Sequence, residues 1–97
     1  MKILIVEDEK ELSDSIVSYL NQGNYLCEQV YSFAEAMDKV SFYEYDCILL
    51  DLMLPGGNGL DVLKKVKQVS PSTGVIIVSA KGTLDDKVTG LQIGADD

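Results

Sequence analysis

Histidine is absent from these 97 residues, and proline and cysteine occur only twice each. Without histidine the chain lacks the commonest general base and the commonest metal ligand. Any chemistry must therefore rest on carboxylates, hydroxyls, lysines and backbone groups. Cys27 and Cys47 stand far apart without CxxC spacing and read as buried free thiols of a reducing compartment. Long apolar runs are also missing: nothing approaches the ~20 residues of a membrane span. The opening MKILIVEDE runs into Glu7, Asp8 and Glu9, too soon for the apolar region of a signal peptide. The chain is expected in the cytoplasm, with no membrane partner. No low-complexity run, linker or internal repeat interrupts it.

Basic residues are scarce beside acidic ones. Lys plus Arg is 8 and Asp plus Glu is 16, a net charge of −8. Phosphate contacts need clustered Lys or Arg, so this segment is not expected to bind nucleic acid itself. The acids serve solubility, or some of them gather around a cation. The length suits one domain, residues 1–97, and the 46% hydrophobic content suits a folded core.

Along the chain, KILIV at residues 2–6 is a strand apolar on both faces, as in the middle of a parallel sheet. Leu12, Ile16, Tyr19 and Leu20 recur at helical spacing, and Asn21, Gly23 and Asn24 stop that helix. Residues 25–31 (YLCEQVY) predict a second strand, interrupted by Glu28 and Gln29 and suited to an edge. Ser32 with Glu35 is a capping-box signature, followed by the stripe Phe33, Ala36, Met37 and Val40. Residues 47–52 (CILLDL) are another buried strand with an aspartate inside. Pro55 to Gly59 is a loop signal. Leu60, Leu63, Val66 and Lys67 predict a third helix ending at Ser70–Pro71. Residues 75–78 (VIIV) predict a fourth strand, and Thr83 with Asp86 opens a fourth helix through Leu84, Val88 and Leu91 to Gly94. Strict β-α alternation implies an α/β fold with a parallel sheet and right-handed crossovers.

In such sheets, sites form beyond the carboxyl ends of the strands. The first strand ends at Glu7 and Asp8, the third at Asp51 and the fourth at Ser79. Glu7 and Asp8 also suit the start of a helix, where acids favour the positive dipole end. Asp51 is flanked by apolar residues on both sides, and an unpaired charge there would be costly. Ser79 gains weight only by convergence with the others. Converging carboxylates favour a cation, and oxygen ligands without His or Cys suit Mg²⁺ or Ca²⁺. No calcium-loop pattern appears, which favours Mg²⁺. The Gly56–Gly59 stretch lacks the GKS or GKT ending of a phosphate-binding P-loop.

VEDE after the first strand, DLMLPGGNG around Asp51, SAK after the fourth strand and GADD at the end resemble the receiver domains of two-component response regulators. The resemblance runs through the whole chain, and DLMLPGGNGLDVL looks most like receivers of the winged-helix transcription-factor subfamily. It implies a flavodoxin-like doubly wound sheet of strand order 2-1-3-4. It also implies that Asp51 accepts a phosphoryl group from a phosphohistidine on a sensor histidine kinase. Asp8 would bind Mg²⁺ directly and Glu7 through water, with the Met53 backbone carbonyl as a further ligand. Ser79 would hydrogen-bond the phosphoryl group and move on phosphorylation, and the Ala80 amide would add a contact. Such a chain is a signalling switch rather than a turnover enzyme, controlling transcription through a DNA-binding domain that is not part of these residues.

The chain departs from that family after Asp97, where a fifth strand and fifth helix would follow. The family's phosphoryl-pairing lysine and aromatic switch residue belong to that region, and Lys81 is not the lysine's positional equivalent. Part of the face through which receivers often dimerise belongs there too. Truncation is the simplest cause. Weak or poorly coupled phosphorylation is one expectation. Self-association through an exposed VIIV edge is another. Two other functions compete. A Mg²⁺-dependent phosphatase with an aspartate nucleophile usually wants a second Asp two residues on, where this chain has Met53. A degenerate receiver would act only in binding or dimerisation.

Overall fold

The computed structural model describes residues 1–78. The expected fourth helix, Ser79, Ala80 and Lys81 lie outside them. The described elements run β1 (Lys2–Val6), α1 (Lys10–Asn21), β2 (Leu26–Val30), α2 (Phe33–Phe42), β3 (Cys47–Leu50), β4 (Met53–Leu54), β5 (Gly57–Asn58), α3 (Gly59–Val69) and β6 (Gly74–Ile77).

Strands β2, β1, β3 and β6 form one sheet in that order. Every pairing is parallel, as between Ile3 and Cys27, Ile3 and Cys47, and Cys47 and Gly74. Setting aside the two short strands β4 and β5, this is the 2-1-3-4 order expected. The unbroken apolar runs of β1 and β3 take the interior positions because a central strand is covered on both faces. The polar Glu28 and Gln29 fall on the edge strand, where each finds a partner: Glu28 pairs with Lys2 and Lys39, and Gln29 donates to Ser13 and Asp14. Both outer strands sit slightly off the expected bounds, β2 shorter by a residue at each end and β6 displaced one residue toward the N-terminus.

Alternation along β1 divides the layers. Leu4 and Val6 join Ile48, Leu50 and Val75 in a cluster closed by Ala36 and Val40 of α2 and by Val62, Leu63 and Val66 of α3. Phe33, Met37 and Leu60 pack against its margin. Ile3 and Ile5 are buried on the opposite face. There Gln29, in register with Ile5, reaches Ser13 of α1.

The α1 stripe differs from expectation. Tyr19 is 75% exposed. The inward face is instead Leu12, Ser13, Ile16, Val17 and Leu20, with Ser13 fully buried. Residues 13, 16, 17 and 20 share one side of a helix, whereas Tyr19 lies about 200° round from Val17. A small residue nearest the sheet is invisible to a count of large apolar positions. At the helix start, Glu9 is the N-cap, without a side-chain cap bond. Neither Glu7 nor Asp8 holds that position, which leaves their carboxylates to other partners.

Helix α2 begins as its sequence predicts. Ser32 accepts from the Glu35 amide, while the Glu35 carboxylate accepts from the Tyr31 amide and the Ser32 hydroxyl. The expected loop at 55–59 proves more ordered than its composition suggests. Met53–Leu54 and Gly57–Asn58 pair antiparallel around Pro55–Gly56, where Gly56 has φ +88°, the left-handed conformation a Pro-Gly turn needs. The hairpin rests on α2, with the Phe33 amide donating to the Pro55 carbonyl at 3.1 Å. Strands of two residues leave no periodicity to read, and their pairing comes from the turn.

Candidate functional site

The carboxyl ends of β1 and β3 lie side by side, because the strands pair in register up to Val6 and Leu50. The pairing continues one step further: the Asp51 amide donates to the Val6 carbonyl at 2.9 Å. On the other side, the Glu7 amide donates to the Val30 carbonyl at 3.2 Å. Backbone bonds thus fix Glu7 and Asp51 next to each other just past the sheet, and Asp8 follows on the loop into α1.

The three acids converge. One carboxylate oxygen from each of Glu7, Asp8 and Asp51 can be chosen so that all lie within 4.8 Å of one another. Glu7 and Asp51 are buried, at 2% and 7% exposure, and Asp8 is exposed. Asp51 is partly satisfied from within its own loop, where the Met53 amide donates to Oδ1 at 2.9 Å. Glu7 Oε2 accepts from the Glu9 amide at 2.9 Å. Burial pushes the Glu7 carboxyl up to about 7, and contacts with Asp8 and Asp51 push the same way against the opposing Glu9 amide. Acids this close repel as anions, and a cation relieves the repulsion. The donors are all oxygen, with no His in the chain and no Cys in the cluster, which fits a hard divalent ion.

An open cleft of about 580 Å³ leads from Asp8 along Met53, Pro55, Asn58 and Leu60. Met53, half exposed, stands at the head of the hairpin beside Asp51. Ser79 and Ala80 are outside the described residues. The residue before them, Val78, donates from its amide to the Leu50 carbonyl at 3.0 Å, so the described chain ends beside the strand that carries Asp51. Among the described residues, the salt bridges gather at Glu28, away from this cluster. Two supporting features escape sequence reading. Asn58 caps α3 by accepting from the Leu60 amide, and Gly59 lies against the backbone of Asp51 and Leu52. The run GGNG signals a loop, but nothing in it says which backbone the last glycine meets.

The chain's similarities agree with this arrangement. Residues 3–97 match the family described as the response regulator receiver domain. The response regulator ArlR of Staphylococcus aureus is 45% identical over 96 residues, which is 99% of this chain and 43% of that protein. The chain thus spans less than half the length of this curated relative. Among solved structures, a response regulator receiver domain protein (CheY-like) from Methanospirillum hungatei is 29% identical with TM-score 0.91, covering 98% of this chain and 76% of that one. The receiver domain of Francisella response regulator 1452 is 29% identical with TM-score 0.87, covering 99% and 79%. With a parallel 2-1-3-4 sheet and an acidic cluster where its first and third strands end, this chain belongs to the response regulator receiver domain family.

Proposed function

We propose that Asp51 is the phosphoacceptor of a signalling switch, charged by a sensor histidine kinase in the presence of Mg²⁺. The observation that carries this reading is the convergence of the Glu7, Asp8 and Asp51 carboxylates within 4.8 Å. Glu7, Asp8, Asp51 and the Met53 carbonyl would hold the ion. When bound, Mg²⁺ supplies positive charge that offsets the acids and the incoming phosphoryl oxygens.

In the transfer, an Asp51 carboxylate oxygen forms a bond to phosphorus as the phosphorus–nitrogen bond of the donor phosphohistidine breaks. The imidazole leaves with the electron pair and takes up a proton, and Asp51 becomes an acyl phosphate. The Met53 amide, already donating to Asp51 Oδ1, holds the carboxylate in one orientation. Such reactions need positioning and charge neutralisation more than covalent machinery. Ser79 and the Ala80 amide would contact the phosphoryl group, whose charge and acceptor oxygens then bias the neighbouring segment.

The module regulates rather than turns over substrate, and it works in the cytoplasm. No described helix is long and apolar enough to cross a membrane. Its output is transcriptional, as part of a longer regulator, with any DNA contact made by another segment. For this segment taken alone, self-association through the sheet edge at β6 is a further expectation. Chemical mapping tests the assignment. After incubation with acetyl phosphate and Mg²⁺, borohydride reduction converts an aspartyl phosphate to homoserine. Homoserine at position 51 supports the reading, and homoserine elsewhere, or none, contradicts it.

A further inference from the structure

The phosphoacceptor loop is held at several points, and one of them is a residue with no side chain. Gly59 opens α3, and its amide donates to the Leu52 carbonyl at 3.1 Å. A Cβ at this position would lie 2.6 Å from Leu52 Cα, 2.8 Å from the Asp51 carbonyl oxygen and 2.9 Å from the Leu52 carbonyl oxygen. All three atoms are backbone, so none can swing aside. The neighbouring case is different: a Cβ on Gly57 would meet the ring of Phe33, a side chain with freedom to turn.

The same short segment is anchored on its other side. The Asp51 amide bonds to Val6 of β1, and the Met53 amide bonds to the Asp51 carboxylate. Residues 51–53 therefore form a bridge between β1 and the start of α3, and its α3 support rests on a bare Cα. A methyl group at 59 has only two outcomes. Either α3 retreats and the bond to Leu52 breaks, or the 51–52 backbone shifts and carries the Asp51 carboxylate with it.

We infer that Gly59 is a positioning residue for phosphoryl transfer: its close approach fixes the Asp51–Met53 backbone so that the Asp51 carboxylate faces Glu7 and Asp8. The inference rests on the proposed phosphoacceptor role of Asp51. A misplacement approaching an ångström at a reacting group costs on the order of 10²-fold in rate. It acts on the transfer step as well as on stability, which separates it from a purely structural glycine.

The test compares wild type, Gly59→Ala and Val40→Ala. Val40→Ala removes buried volume beside Tyr45 and Thr73, before the starts of β3 and β6, so it lowers stability at the end of the sheet away from residues 51–53. Each chain is assayed for melting temperature, for Mg²⁺ affinity by calorimetry, and for the phosphorylation rate with acetyl phosphate at saturating Mg²⁺. Gly59→Ala should lose at least about tenfold in rate at saturating Mg²⁺ and bind Mg²⁺ more weakly, while Val40→Ala changes only the melting temperature. A Gly59→Ala chain that melts lower but keeps the wild-type rate and Mg²⁺ affinity overturns the inference. Should Gly59→Ala not fold, a ligated chain with glycolic acid at 59 decides. It deletes the amide donor and adds no bulk. A rate lowered about threefold or more supports the inference, and an unchanged rate overturns it. Wild type that takes up no phosphoryl group overturns the phosphoacceptor reading and the inference together.

Discussion

Replacing Glu7 by Gln in metal-free protein should raise stability at neutral pH and flatten its pH dependence. Glu7 is 2% exposed, and burial, the neighbouring Asp8 and Asp51 adding to it, pushes its carboxyl from 4.5 to about 7. Between those two values the folded chain keeps a proton that the unfolded chain has released. The contribution of Glu7 to stability is therefore greatest below 4.5, falls as pH rises through the window, and levels off above about 7. At about 1.4 kcal/mol per pH unit, the full loss is on the order of 3 kcal/mol. That is a large share of the roughly 5–15 kcal/mol of a typical domain. Glutamine keeps an oxygen for the Glu9 amide and offers an NH₂ to the neighbouring carboxylates. The assay is urea unfolding followed by circular dichroism, in a chelator, from pH 5 to 8. The chain has no histidine, so no imidazole titration masks the slope. Wild type should lose stability across this range, while Glu7→Gln stays nearly level and exceeds wild type at pH 8 by about 2–3 kcal/mol. Equal slopes in the two proteins would refute the reasoning.

Other outcomes follow from the same structure. Mg²⁺ at about 100 times its Kd should stabilise wild type by about 2.7 kcal/mol, and Asp8→Ala should abolish that shift in melting temperature. Below pH 7, Mg²⁺ must compete with the proton on Glu7, so calorimetric affinity should fall as pH drops from 7 to 5. Leu63, fully buried on α3 in the cluster shared with the sheet and α2, should cost about 2–5 kcal/mol when cut to Ala, read by urea unfolding. Gly56→Ala forces a side chain into φ +88° and should cost on the order of 1 kcal/mol, with the melting temperature as readout.

What the sequence reveals depends on the range of the interactions involved. The buried strand KILIV and the Ser32–Glu35 cap are local signals, and each appears where its residues predict, while the expected strand CILLDL ends at Leu50, two residues early. The edge position of β2 was legible because Glu28 and Gln29 break its apolar run. Tyr19 misleads because helical spacing counts large apolar residues and overlooks Ser13, the residue against the sheet. The β4–β5 hairpin is too short to leave a period and owes its order to Pro55–Gly56 and to α2 beneath it. Asp51 stood out as an acid inside an apolar strand, since burying it demands a partner. Its nearness to Glu7 and Asp8 followed from parallel strand order rather than from sequence distance. The approach of Gly59 to the Asp51 backbone depends on how α3 leaves the hairpin, which no residue pattern encodes.

The central claim is that Asp51 takes a phosphoryl group with the help of the acidic cluster. Intact mass after incubation with acetyl phosphate tests it most directly, with and without Mg²⁺ and beside Asp51→Asn. One added phosphoryl group on wild type with Mg²⁺, absent without the ion and absent from Asp51→Asn, is the predicted result. An unchanged mass in wild type with Mg²⁺, or equal addition to Asp51→Asn, would contradict the claim.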